Sequence, residues 1–333
     1  MNEIEHFNKV MKDFAPLLDS WWPYIIGLIL GILTAVRNYM AGSMCPSNQR
    51  IDDKIVIITG GTSGIGKETA TELAKRGGHI ILAVRNKDYG IKIANELANI
   101  SNAKISIGYI DLSSLKSVQN FVNNLEVEKV DILINNAGIA FYPATKTEEG
   151  FELHFVTNYL GHFLLTQLLL PKLKASNQGR IINVTGQAHA AGRIHLDDLN
   201  LEDKFTAGEA FGQSKLALML MTKHMSQLLK DTNVTINAVN PGLVRGTNHM
   251  KTSPINSTYS IKLIMQPWMW LLLKNPVQGA QTTVFVVVKN SLRKQSGKYF
   301  SDCEEKKPSE NALDEKTAEK LYEKSMKLIK PFL

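Results

Sequence analysis

From about residue 54 onward, short continuous apolar runs alternate with longer stretches in which apolar positions recur at helical spacing. Runs at 55–59, 79–84, 105–110, 131–135, 180–185 and 234–239 predict strands, and Ile55-Val56-Ile57-Ile58 is apolar at every position rather than every second one. A strand covered by helices on both faces has that pattern, because neither row of side chains meets water. Helical patterns fall at 64–77, 88–99, 114–125, 150–175, 211–230, 276–290 and 313–329. The alternation predicts βαβ units, hence an α/β fold with a single Rossmann-type, doubly wound parallel sheet in one domain over 51–333. Two long insertions, Arg193 to Glu209 and Leu243 to Asn275, follow strands at the carboxyl edge of the sheet, where ligands bind in such folds.

The N-terminal segment, 1–50, has a different character. Residues 21 to 36 carry no charge, and with Leu17 and Leu18 the apolar stretch approaches the roughly 20 residues that span a bilayer, although Asp19 interrupts it. The leading residues set Glu3, Glu5, Asp13 and Asp19 against Lys9 and Lys12, unlike the basic start of a cleaved signal peptide. An uncleaved membrane anchor at about 17–36 is expected. Arg37 and Arg50 follow it, so the positive-inside rule places the main domain in the cytosol, with Trp21, Trp22 and Tyr24 at the opposite interface. The competing reading is an amphipathic helix lying on the membrane or packed on the domain.

Composition narrows the partners. Of the 333 residues, 44% are hydrophobic, enough for a large core, and 38 Lys plus Arg against 31 Asp plus Glu leave a net charge of +7 without a dense basic block. Nucleic acid is therefore not an expected partner. Two cysteines far apart, Cys45 and Cys303, supply neither a disulfide framework nor a Cys-rich zinc site, and no metal is expected.

Directly after the first strand, Thr59-Gly60-Gly61-Thr62-Ser63-Gly64-Ile65-Gly66 is a glycine-rich turn feeding a helix. Glycines let the backbone approach a pyrophosphate, whose charge is met by N–H groups and the positive end of the helix dipole; the strand before and the helix after separate this from any tight turn. Gly60, Thr62, Ser63, Gly64, Ile65 and Gly66 are thus candidates to hold a dinucleotide. At the end of the second strand stands Arg85 instead of an acidic residue, and a guanidinium there suits a 2′-phosphate, favouring NADP(H) over NAD(H).

These residues, together with Asp111-Leu112, Asn135-Asn136-Ala137-Gly138, Asn158 within Val156 to Phe163, Arg193-Ile194-His195 and Pro241-Gly242, resemble the short-chain dehydrogenase/reductase family over about 50 to 330. More narrowly they resemble its retinol dehydrogenase branch. The resemblance implies a membrane-anchored protein of the endoplasmic reticulum acting on lipophilic alcohols and carbonyls. It also implies that Asp111 and Leu112 meet the adenine, and that Asn136, Ala137 and Gly138 line the adenosine side. Asn135 would tie the central strands, and Pro241, Gly242 and Thr247 would border the nicotinamide, with Thr247 one residue later than the family's Thr. The helices at 150–175 and 211–230 pair subunits in many relatives, which points to a homodimer.

Hydride transfer to a carbonyl needs a proton donor on its oxygen. The family supplies a Tyr with a Lys four residues later, a Ser that polarises the same oxygen, and an Asn holding a water. Lys215 and Asn158 occupy two of those places, but Phe211 stands at the Tyr position and Gly186 at the Ser position. Of the neighbours, Thr185 should project to the opposite face of its strand. The Ser214 hydroxyl is a poorer acid than a phenol, and His189 titrates in a useful range but is more simply an ordinary loop histidine, like His195. The expected outcome is a folded, nucleotide-binding protein with little or no family-type catalysis. The alternative is an active NADP-dependent oxidoreductase on a retinoid, prenol or steroid-like lipid, using His189 or a Lys215-bound water. The apolar segment Ile261 to Leu273, within an insertion at 243–275 that covers the substrate pocket in the family, reads as a lid buried on the domain or dipping into the bilayer; Pro267 should break any helix there.

Overall fold

The computed structural model describes residue 7, residues 20–247 and residues 259–333, with the backbone alone for 259–264. Strands β1 (Ile55–Thr59), β2 (His79–Val84), β3 (Ile105–Tyr109), β4 (Ile132–Asn135), β5 (Gly179–Val184), β6 (Val234–Asn240) and β7 (Tyr299–Ser301) are parallel, in the order β3-β2-β1-β4-β5-β6-β7. A short β8 (Glu304–Lys306) closes the edge antiparallel to β7. The order reverses between β1 and β4, and the crevice at their carboxyl ends is where a doubly wound sheet takes its ligand.

Alternate residues of each strand feed two cores. Ile57, Leu133 and Ile181 pack to one side, and Val56, Ile58, Ile132, Ile134 and Ile182 to the other. Helices α2 (Gly64–Lys75), α3 (Lys87–Ser101), α4 (Leu115–Asn123), α5 (Gly161–Lys174), α6 (Ala207–Leu228), α8 (Pro276–Val288) and α9 (Glu315–Ile329) clothe the sheet; α1 (Trp22–Ala41) and α7 (Tyr259–Leu272) lie outside it. α1 begins and ends about five residues later than the apolar run suggests, and residues 17–19 fall outside the described residues.

Three features depart from the sequence pattern. β7 and β8 were not legible in it: each has three residues, and Glu304-Glu305-Lys306 is a charged edge strand with no apolar alternation. Their connection, Asp302-Cys303, takes positive φ at both residues, as a two-residue hairpin turn requires. The helical pattern at 150–175 is divided into a π-helix, Phe155–Leu160, and α5. Pro267 lies inside α7 rather than ending it. Just beyond the carboxyl end of α7, Arg37 of α1 donates to the Leu273 carbonyl, which meets one of the acceptors left open there.

α9 lies over α5 and α6, with the Tyr322 ring 5.3 Å from Phe163 and 4.7 Å from His224, and Tyr159 hydrogen-bonded to Ser325 at 2.8 Å. The two helices expected to meet a partner subunit thus already carry α9 on part of their surface.

A polar ladder crosses the middle of the sheet. Asn135 Nδ2 donates to Asn183 Oδ1 (2.8 Å) and Thr166 Oγ1 (3.1 Å), and Asn183 Nδ2 donates to Thr222 Oγ1 (2.9 Å), linking β4, β5, α5 and α6. At the opposite end of β4, the buried Asp131 carboxylate accepts from Lys54 Nζ, the Ile55 N–H and Ser176 Oγ. Burial alone would push this carboxyl up; the bonds from Ser176, Ile55 and Lys54 outweigh it and hold the group below its ordinary value. Its contribution is therefore complete above the unfolded-state value of about 4 and is lost as pH falls through the lower folded value. Asp131→Ala should cost about 2–4 kcal/mol at neutral pH, because it orphans buried donors. Urea unfolding should show that gap narrowing in acid.

Candidate active site

At the end of β1 the chain turns on Gly60 (φ +66°) and Gly64 (φ +53°) into α2. A Cβ at Gly66 would collide with the Gly60 carbonyl oxygen and stand 2.5 Å from Asn136 Nδ2, so strand, turn and helix meet backbone to backbone. Asn136 Nδ2 donates to the Thr59 carbonyl at 2.8 Å, while the Thr59 hydroxyl accepts from the Asn136 and Ala137 N–H groups at 2.9 and 3.0 Å. The loop 136–138 is thereby fixed beside the glycine turn. A glycine-rich turn at a helix amino end fits a pyrophosphate.

From Thr59 a buried chain of hydrogen bonds leads to Asn158. Its hydroxyl lies 2.9 Å from His162 Nε2, and His162 Nδ1 donates to the Asn158 carbonyl at 2.9 Å. Burial pushes the His162 imidazole down to about 4, so it stays neutral, with Nδ1 carrying the proton and Nε2 accepting. The π-turn makes this possible. Gly161 N–H bonds to Val156 O, five residues back, and the Asn158 carbonyl inside this π-turn accepts from the His162 imidazole. Asn158 Oδ1 accepts from Ile139 N (2.8 Å), and Nδ2 donates to Ile139 O (3.0 Å) and Ser214 Oγ (2.9 Å). Sequence reading missed His162; its spacing of four residues from Asn158 was the available signal.

Lys215 is 2% exposed, donates from Nζ to Val184 O at 3.1 Å and lies 5.8 Å from the centre of the Phe211 ring. Burial brings its ammonium down to about 8. Around it the nearby hydroxyls are committed elsewhere. Thr185, just past β5, donates from Oγ1 to Lys215 O at 3.0 Å, and Ser214 Oγ donates to Phe211 O at 2.8 Å. His189 is 3% exposed, gives Nδ1–H to Gly186 O at 2.7 Å and sets its ring edgewise on Tyr299; burial, partly opposed by that bond, moves it below its ordinary value. His195 pairs with Glu209 at 2.9 Å. At Gly186 a Cβ would meet nothing within 4 Å.

Phe141, also missed, stands 5.8 Å from Phe211 ring to ring, with positive φ (+58°) and 43% of its surface exposed. A non-glycine residue held in that region costs free energy, and buried partners maintain it here. The next N–H, of Tyr142, donates to His154 Nε2 at 3.1 Å, and His154 Nδ1 donates to Glu152 Oε1 at 2.7 Å. The Phe141 ring therefore stands beside Phe211, which holds the position where the family resemblance implies a phenol.

The outer residues are more spread out. Arg85 is exposed just beyond β2 and has no ion-pair partner among the described residues. Asp111 Oδ1 accepts from the Ser113 N–H and hydroxyl, and Leu112 is buried beside it. Gly242 (φ +77°) follows buried Pro241 and donates its N–H to Asn240 Oδ1. Thr247 lies over Gly64 of the glycine turn, 3.4 Å from where a Cβ would be, with its hydroxyl bonded to Val244 O at 3.3 Å.

This arrangement, a glycine cradle at the switch point with a buried Lys and Asn beside it, has close counterparts. The short chain dehydrogenase family model matches residues 54–257. The chain belongs to that family, whose fold implies a nicotinamide dinucleotide. It is 43% identical to retinol dehydrogenase 13 of Mus musculus over 309 residues, 92% of each chain, and 39% identical to retinol dehydrogenase 11 of Homo sapiens over 326 residues, 94% of this chain and 96% of that one. Within the family it lies in the retinol dehydrogenase-like branch. A crystal structure of an uncharacterized protein from Mycobacterium Paratuberculosis superposes with a TM-score of 0.71 at 30% identity, covering 87% of this chain and 98% of that one. A short chain dehydrogenase from Shigella flexneri complexed with NADP shares the fold, with a TM-score of 0.60 at 21% identity over 77% of this chain and 99% of its own.

Proposed function

We propose that this protein is a membrane-anchored, NADP(H)-binding member of the retinol dehydrogenase-like branch that holds a lipophilic alcohol or carbonyl with little or no family-type turnover. When bound, the cofactor supplies or accepts the hydride; the chain must supply the proton. The carrying observation is that Phe211 has no hydroxyl, Gly186 has no side chain, and Thr185, Ser214 and His189 bond to backbone carbonyls instead. General acid catalysis is typically worth about 10²–10⁴ in rate and an oxyanion-type donor about 10²–10³. Losing both cripples the step even though such losses are not additive.

Lys215 and Asn158 retain positions that orient substrate and cofactor, and Gly60, Thr62, Ser63, Gly64, Ile65 and Gly66 would cradle the pyrophosphate. Asp111, Leu112, Asn136, Ala137 and Gly138 would line the adenosine side, and Pro241, Gly242 and Thr247 the nicotinamide side. Residues 51–333 form the dehydrogenase domain, with 1–50 as its anchoring segment. The 20-residue helix Trp22–Ala41, of mean hydropathy 1.5, is long and apolar enough to cross a membrane, and Arg37 and Arg50 after the apolar run favour a cytosolic domain. The endoplasmic reticulum is the organelle suggested by the branch. A homodimer through α5 and α6 completes the reading; sedimentation of the detergent-solubilised protein tests it.

The test is NADPH oxidation with retinal-like, prenal-like and steroid carbonyls, expected at the blank rate. The second reading, an active oxidoreductase, is favoured by one observation: a buried ammonium titrating at about 8 is an acid of useful strength near neutrality. Robust turnover that vanishes in Lys215→Ala or His189→Ala would establish it, and a Lys215-dependent rate should decline as pH rises through about 8.

Cofactor choice is tested separately. Arg85→Ala should weaken NADPH binding about 10- to 100-fold, the worth of a charged hydrogen bond to phosphate, and leave NADH nearly unchanged. Equal losses for both nucleotides would remove the preference from Arg85.

A further inference from the structure

All four tryptophans of the chain stand on two elements, Trp21 and Trp22 at the amino end of α1 and Trp268 and Trp270 on α7. The elements are joined. Arg37 Nη1 donates to Leu273 O and Nη2 to Gln278 Oε1, both at 3.0 Å, and the guanidinium lies 5.7 Å from the Trp270 ring. One turn later Gly42 (φ +69°) passes against the Lys274–Asp302 ion pair so closely that a Cβ there would collide with it. The carboxyl end of α1 is therefore fixed to the domain at the base of the lid, while residues 22–35 are exposed.

Beside this joint the surface stays apolar. Trp268 is 56% and Trp270 51% exposed, with Leu272 and Leu243 also exposed, and Leu243 O accepts from Lys274 N. The uncharged run from Trp21 to Val36 has 16 residues. At about 1.5 Å each it reaches about 24 Å, short of a hydrocarbon core of about 30 Å. Sinking the domain by about one helical turn makes up that difference and carries the patch beside Arg37 into the interface. Tryptophan is favoured at that depth, apolar on its face and polar at its N–H. Arg37 donates to the Leu273 carbonyl and the Gln278 side chain, which lowers the cost of approaching lipid.

We infer that the exposed tryptophans of α7, Trp268 and Trp270, are embedded in the near interface of the bilayer that holds α1, so that anchor and lid meet the membrane together. This rests on the membrane-anchored reading. The occupant of the patch is a phospholipid bilayer, argued from its continuity with α1 across the Arg37 joint.

The experiment uses full-length protein in phosphatidylcholine vesicles containing acyl-brominated lipid, with bromines either shallow or deep. Trp21→Phe with Trp22→Phe leaves the lid tryptophans as sole reporters, and Trp268→Phe with Trp270→Phe leaves those of the anchor. Lid emission should be quenched strongly by shallow bromines and less by deep ones. Quenched anchor tryptophans with unquenched lid tryptophans would overturn the inference and leave the anchored reading standing, including when the lid emission is instead shielded by a second copy of the chain. If neither pair is quenched, the anchored reading fails, and the inference with it. Arg37→Gln should reduce lid quenching severalfold with anchor quenching unchanged; equal lid quenching would remove the joint from the account.

Discussion

Gly186→Ser combined with Phe211→Tyr is expected to raise turnover of NADPH with a lipophilic carbonyl by about 10²–10⁴ over the native chain. Both changes fit the structure. A Cβ at Gly186 has open space, and tyrosine differs from phenylalanine by one hydroxyl on a ring already 5.8 Å from Lys215 Nζ. A buried ammonium so near would favour the phenolate and make the phenol a better acid. Phe211→Tyr alone should recover most of the gain, because an oxygen-polarising serine has little to act on without a proton donor. The measurement is kcat for the double and both single variants, with Lys215→Ala added to the double. A gain below about tenfold would mean that the site is disabled elsewhere too. Phe141, whose ring lies 5.8 Å from that of Phe211, and Thr247, bonded to Val244 O, are the first places to look.

Gly66→Val should weaken nucleotide binding about 10- to 100-fold, corresponding to the ~1–3 kcal/mol typical of overpacking. Here the neighbours are the Gly60 carbonyl and the Asn136 amide that braces the turn, and a backbone atom cannot rotate away as a side-chain tip can. Gly208→Ala on α6 is the control: its Cβ meets nothing within 4 Å, so binding should be unchanged. Titration of both variants with NADPH, followed by nucleotide fluorescence, separates a blocked cradle from general damage. Undiminished affinity in Gly66→Val would remove the glycine turn from the binding site.

The two predictions draw on different kinds of information. Residues 55–66 carry their structure in their order: four apolar residues predict a strand covered on both faces, and glycines at 60, 64 and 66 predict a turn that a side chain would block. The absence of hydroxyls at 186 and 211 is likewise a fact of sequence. Local pattern records such things because burial and backbone freedom act residue by residue. It could not reveal that His189, a free-looking loop histidine, is buried against Tyr299, which is 110 residues away (299 − 189). Nor could it show that the Glu152–His154 pair holds the loop carrying Phe141, or that His162 joins Thr59 to Asn158. Pro267 argued against a helix that tertiary docking through Arg37 supports, and a three-residue charged strand has no periodicity to detect. The chain's order thus determined its first six strands, its glycine turn and its missing oxygens. Only the folded packing decided which remaining side chains lost their proton-donating freedom, because those bonds join segments that nothing in the local pattern relates.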